Sequence, residues 1–248
     1  IAAFFLESTF IAVMFFGWNR VSRGFHLAAT WLTAIGICLS AYWILVANAW
    51  MQYPTGMTFD PGQMRNVMTS FADVALSPVA INKFFHTVLS GWVLGAVFVI
   101  GVSCWFLLKK SNTEVARESI RIASWVGLAG IVLTMWTGDG SAVQVAQKQP
   151  MKLAAMEGLY DGHHGQSLVA FGIVNPRKTL DNDEPALLAE IAIPNGLALL
   201  ANHDPLSFVP GINDIIDGVS YDNSGKPIDT VSYAERIARG KASHEALR

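Results

Sequence analysis

Residues 84–108 read FFHTVLSGWVLGAVFVIGVSCWFLL, a run without a single Asp, Glu, Lys or Arg. A helix rises about 1.5 Å per residue, and about 20 apolar residues cross a hydrocarbon core roughly 30 Å thick. This run is long enough to span a bilayer, and its one imidazole is His86. Residues 25–50, FHLAATWLTAIGICLSAYWILVANAW, carry no formal charge either. Two shorter runs flank this pair. Residues 122–138 (IASWVGLAGIVLTMWTG) are marginal in length, and residues 1–18 (IAAFFLESTFIAVMFFGW) span only if residues before Ile1 complete them. The pattern predicts an all-α, polytopic transmembrane bundle with about four membrane helices in this stretch.

Composition agrees. Hydrophobic residues make up 52% of the 248 positions and charged ones only 15%, against about 25% charged in soluble domains. The formal net charge of -2 offers no basic patch of the kind nucleic acid requires. Charge is also unevenly spread. Residues 1–136 hold eight Lys/Arg and five Asp/Glu; residues 137–248 hold nine and fourteen. Two regions follow: membrane helices with short links over 1–138, then a long extramembrane loop region over 139–248.

Loop charge orients the helices. Arg20 and Arg23 follow the first run, and Lys109, Lys110, Arg117 and Arg121 follow the third. Cytoplasmic loops are enriched in Lys/Arg, so these links face inside. By alternation the link 51–83 and everything after residue 138 face outside. Past residue 139 the apolar runs stop. Pro150 opens an amphipathic helix, turn formers recur from Gly162 to Gly225, and residues 232–248 have a helical pattern. Loops this long are usually functional. Cys38 and Cys104 each lie inside an apolar run and read as free packing thiols.

Ionisable groups inside apolar runs are functional candidates, because a charge there is unfavourable by several kcal/mol. Glu7, with Ser8 beside it, reads either as a helix-end carboxylate or as a proton-relay group whose pKa is raised by shielding from water. His86 reads either as an interfacial histidine beside a helix-packing Gly91-x-x-x-Gly95 or as an axial ligand to haem iron, with small residues giving a flat ring room. His26, beside a basic loop, and the solvated pair His163-His164 lack metal-site spacing. Lys152 and Glu157 are five residues apart, about 140° of helix rotation, and on their own read as solvated charges.

The strings AFFLESTF (3–10), FFGWNR (15–20), LSAYWILVANAWMQYP (39–54), SPVA (77–80), KFFHTVLSG (83–91) and QKQPMKLAAMEG (147–158) together resemble subunit I of cytochrome bd ubiquinol oxidase. The likeness runs from residue 1 to about 160, and more loosely through FGIVNP (171–176) and Ile193-Pro194. It implies a quinol:oxygen oxidoreductase that reduces O2 to water and builds a proton gradient without pumping. By resemblance, His86 matches the histidine ligand of a low-spin b haem, Lys152 and Glu157 match the quinol-binding loop, and Glu7, Ser8 and Ser40 match the proton route to the oxygen-reducing haem. Further b-type and d-type haems are implied for the complete subunit, with ligands, including the methionine partner of His86, that match nothing within residues 1–248. The resemblance further implies a second membrane subunit, small accessory subunits, a bacterial inner-membrane location, and a periplasmic 139–248 segment. One departure stands out: Asn19 occupies the position where the family usually has an aspartate, and Asn cannot titrate.

Two rival readings remain at this point. In a proton- or ion-coupled transporter or channel, Glu7 would be the coupling carboxylate and His86 an interfacial anchor. In a redox-silent assembly subunit, the scaffold would persist without haem.

Overall fold

The computed structural model describes residues 2–179, 182, 184–221, 227–229, 231–232, 234–235, 237–238 and 242. The chain divides into two compact units, Ile1–Gly138 and Asp139–Arg248.

In the first unit, helix α1 (Ala2–Phe16) leads into α2 (Arg23–Gln52). The turn between them is tight. A Cβ on Gly17 would stand 2.3 Å from the Val13 carbonyl oxygen, so only glycine fits there. Ser22 starts α2 by accepting a hydrogen bond from the Phe25 amide, the usual role of an N-cap hydroxyl. His26 then reaches back, Nε2 to the Met14 carbonyl at 3.0 Å, with its ring against Trp18. This histidine has a structural partner.

After α2 the link forms a short antiparallel hairpin, β1 (Met57–Asp60) with β2 (Arg65–Met68), and a one-turn helix α3 (Phe71–Ala75). Ser77-Pro78 opens α4 (Pro78–Leu108), with proline at the helix start where no amide is needed. Tyr42 on α2 donates to the Ala75 carbonyl at 2.5 Å and meets Phe84 edge-on. Around it Val46, Ala49, Val74 and Ala80 form a small buried core that joins α2, α3 and α4.

Helix α5 (Thr113–Lys148) packs on α4 through small residues. A Cβ on Gly127 would lie 3.0 Å from that of Ala96, and one on Gly130 would lie 3.0 Å from Val93. Such close approach of backbones is how membrane helices gain packing energy without a hydrophobic drive. The helix is longer than its apolar run of 122–138. Its flanks carry Glu, Arg, Ala and Gln, all compatible with helix, and it ends only at Gln149-Pro150, where the residue before proline is pushed out of the α region.

Among the described residues three segments are long and apolar enough to cross a membrane: Arg23–Gln52, Phe71–Leu108 and Thr113–Lys148. Helix α1 contributes 15 apolar-rich residues in this stretch. Leu94, Phe98 and Trp125 are each at least 70% exposed. Leaving such side chains in water forgoes about 1.5–3 kcal/mol apiece; apolar lipid removes that cost.

In the second unit, α6 (Pro150–Glu157) closes on Gly158 in the left-handed region (φ 62°). A core of Ala154, Leu159, Leu197, Ala198, Ala201 and Val209 ties it to α7 (Gly196–Asn202). Strand β3 (His163–His164) pairs with β6 (Phe208–Val209), and β4 (Leu168–Val174) with β5 (Leu187–Ile193), both antiparallel. Helix α8 (Ile212–Asp217) follows, then β7 (Val219–Tyr221) paired with β8 (Pro227–Asp229). The Asp214 carboxylate accepts from the amides of Gly162 (2.6 Å) and Gly211 (2.9 Å), which pins two loops to one group. Of the helical pattern over 232–248, residues 234, 235, 237 and 238, capped by Ser232, and residue 242 are helical, and the rest lies outside the described residues.

Candidate functional site

His86 lies in the third turn of α4, half-buried. Its Nδ1 is 3.0 Å from Oγ1 of Thr137 on α5. The Thr137 hydroxyl has backbone acceptors of its own, the carbonyls of Leu133 (3.0 Å) and Thr134 (3.1 Å). A hydroxyl has one proton to give. When that proton goes to a carbonyl, Nδ1–H must be the donor, and Nε2 is left with its lone pair. This is how metal-binding histidines are usually held: one ring nitrogen fixed by a neighbour, the other free to ligate.

Small groups surround the ring. A Cβ on Gly138 would come within 3.4 Å of His86 Cε1, and Ser90, one turn on, donates to the His86 carbonyl at 2.7 Å. Asn82, one turn before, donates to the Thr137 carbonyl at 3.1 Å. Gly91 and Gly95 do not belong to this face. They stand about 140° and 180° around α4 from His86, and nothing lies within 4 Å of a Cβ built on either. The expectation that they make room beside His86 is therefore corrected; Gly138, from the other helix, does so. Thr137, Gly138 and Asn82 were missed because the sequence holds 51 and 55 positions between partners.

The donor chemistry fits the expected b-type haem: an imidazole held through Nδ1, with Nε2 available to ligate. The buried Thr134 Oγ1, one turn along α5 from Thr137, has no hydrogen-bond partner. His86 is one ligand of the set. Among the described residues no group of three or more His, Cys, Asp or Glu could hold a metal ion by themselves.

Lys152 and Glu157 both lie on α6 in the second unit. Lys152 is exposed and Glu157 half-buried, and the helix points them apart. Burial raises the Glu157 carboxyl above its ordinary value of 4.5. Directly after it, from Gly158, opens a cleft of about 430 Å³ bounded by Tyr160, Asp161, His163, Gln166, Lys178 and Glu184. Lys178 sits over the Tyr160 ring, Nζ 4.7 Å from its centre, and donates to the Asn182 carbonyl. His163 and His164 are exposed on β3, as their solvated reading predicts. Asp139 pairs with His203 Nε2 at 3.0 Å.

Glu7 and Ser8 fall on α1 and Ser40 on α2. Ser8 is exposed and Ser40 buried, and the side chain of Glu7 lies outside the described residues. Cys38 and Cys104 are both free thiols.

Residues 1–238 match the family described as cytochrome bd terminal oxidase subunit I. The chain is 44% identical over 214 residues to cytochrome bd-II ubiquinol oxidase subunit 1 of Escherichia coli, covering 86% of this chain and 41% of that protein. It is 35% identical over 200 residues to cytochrome bd ubiquinol oxidase subunit 1 of Bacillus subtilis, covering 80% of this chain and 41% of that one. A solved bd oxidase from Geobacillus thermodenitrificans superposes with a TM-score of 0.70 at 23% identity, over 99% of this chain and 54% of the other; that likeness concerns the fold. The chain thus spans about two fifths of the length of these curated relatives.

Proposed function

The chain belongs to the cytochrome bd terminal oxidase subunit I family, and from that premise we propose that it carries the quinol-oxidising end of a membrane-bound terminal oxidase. The observation that supports this most is the His86–Thr137 contact at 3.0 Å, which orients an imidazole on an apolar helix as a ligand. Haem bound there supplies a one-electron carrier of b type. His86 would hold it through Nε2, while Thr137 and Asn82 hold the two helices in register and Gly138 leaves the imidazole unobstructed.

Quinol gives up two electrons and two protons. Glu157 is the proposed proton acceptor, because burial lifts its pKa toward the working range and a base is most useful when its pKa is near the ambient pH. Lys152, exposed on the same helix, is proposed to meet the quinol ring from the water-facing side. The cleft that begins at Gly158 offers space for a polar head group beside Glu157. Protons taken from quinol are released outside, and those for O2 reduction enter from inside past Glu7, Ser8 and Ser40. The gradient then arises from where protons leave and enter, without a pump. A second membrane subunit, small accessory subunits, further haems and a bacterial inner-membrane location, with 139–248 periplasmic, complete the proposal.

The test is quinol-dependent O2 uptake by the full-length protein in its assembled complex, with a reduced-minus-oxidised optical spectrum of the same sample. A b-haem band and quinol-dependent uptake are expected. A complex with neither contradicts the reading and restores the transporter alternative.

A further inference from the structure

Toward the turn that joins them, α4 and α5 leave a groove of about 450 Å³ that the function proposed above makes no use of. Phe98, Val99, Val102 and Phe106 of α4 wall it on one side, Val115 and Ala116 of α5 on the other. Along α4 it runs from Phe98 to the helix end at Leu108, about 15 Å at 1.5 Å per residue. That is half of a hydrocarbon core roughly 30 Å thick, the depth of one leaflet. Just before Phe98 the helices are in contact, where a Cβ on Gly127 would lie 3.0 Å from that of Ala96.

The lining is graded. Phe98, Val99 and Val102 make the deep end apolar, while Ser103, Ser119 and Asn112 add polar groups toward the turn. Lys109 caps α4 three residues past Phe106, and residues three apart are neighbours on a helix surface. Its Nζ lies 5.0 Å from the centre of the Trp105 ring. Lys110 follows in the turn, exposed and left-handed (φ 53°). Among the described residues neither lysine pairs with a carboxylate. Of the two acids nearby, Glu118 is held by Arg121 at 2.6 Å. Glu114 stands about 100° or more around α5 from each groove residue. The mouth of the groove is therefore positive.

We propose that this groove seats an acyl chain of an anionic phospholipid, with the phosphate at Lys109 and Lys110. Depth, grading and charge fit that one occupant together. A membrane-crossing helix needs a wall through the whole core, and this wall ends half-way. An acyl chain fills one leaflet and carries its charged head at the water-facing end, where the lysines are. Basic pockets between membrane helices bind anionic head groups by this chemistry.

The experiment places the full-length, assembled complex in phosphatidylcholine nanodiscs with increasing amounts of phosphatidylglycerol that carries a diazirine on one acyl chain. Irradiation and peptide mapping give the mole fraction of probe that labels the groove half-maximally. Phosphatidylcholine with the same diazirine is the neutral control. Label is expected on Phe106 and Val115, at a lower mole fraction for the anionic probe. Lys109→Gln and Lys110→Gln should each raise that fraction about fivefold, the worth of one lysine near a charged head group. Lys109→Arg should stay near the parent. Val102→Trp fills the groove and should reduce labelling by both probes, with all variants compared at parental melting temperature. An unlabelled groove in the parent overturns the proposal and shows that protein covers it. Equal half-labelling fractions for the two head groups overturn it too, as does an unshifted fraction in both Gln variants.

Discussion

Nδ1 of His86 and Oγ1 of Thr137 lie 3.0 Å apart and join α4 to α5. The two residues are 51 positions apart in the chain. When the threonine gives its own proton to the carbonyl of Leu133 or Thr134, the imidazole donates from Nδ1 and keeps its lone pair on Nε2.

Thr137→Val keeps the branched shape and removes the hydroxyl. The imidazole then loses its orienting partner, and changes of this kind weaken metal binding about 10–100-fold. Haem per protein after mild washing is expected to fall while the helix content by circular dichroism stays the same. Full retention would show that Thr137 does not orient the ligand.

The α4–α5 contact is close enough to be tested sterically. Gly127→Leu forces a bulky side chain where a single Cβ already stands 3.0 Å from Ala96. Overpacking of this sort destabilises by about 1–3 kcal/mol. A lower melting temperature together with partial haem loss is expected, and Gly127→Ala should show a smaller version of both.

Glu157→Gln should lower quinol turnover or raise KM at parental haem content. A parental steady-state profile with native quinol would remove Glu157 from the site. The same variant reports on burial. Because the folded pKa of Glu157 is raised above 4.5, the folded state binds this proton more tightly than the unfolded chain. The neutral form is favoured, so stability is fully present below 4.5 and declines as pH rises through the raised value. Glu157→Gln cannot ionise. Its melting temperature should match the parent below that range and exceed it increasingly toward neutral pH.

Glu7→Gln, on α1, should slow O2 reduction with quinol binding unchanged, because the proposed route delivers protons from inside through this carboxyl. A parental rate of single-turnover O2 reduction would set Glu7 outside the route.

The membrane helices were legible because charge-free runs such as 84–108 have only one stable form in lipid: with no water to bond the backbone, the segment must bond internally. Helix ends were less so. The run 122–138 marks only the lipid-like part of α5, whereas Pro150 sets where the helix stops. Past residue 160 the periodicity is weak, and the β4–β5 pairing rests on cross-strand contacts such as Phe171 with Ile191 that no local pattern specifies. The site divides the same way. His86, Lys152 and Glu157 were visible as polar residues within recognisable strings. The partners of His86 were not: Thr137 looked like the end of an apolar run and Gly138 like a breaker. Only folding sets them beside the imidazole.

The central claim is that His86 holds a b-type haem. The most direct measurement is the reduced-minus-oxidised optical spectrum of His86→Ala in the full-length, assembled protein, compared with the parent at equal protein concentration. The b-haem band assigned to this ligand should be lost or strongly diminished. A band of parental position and height would contradict the account.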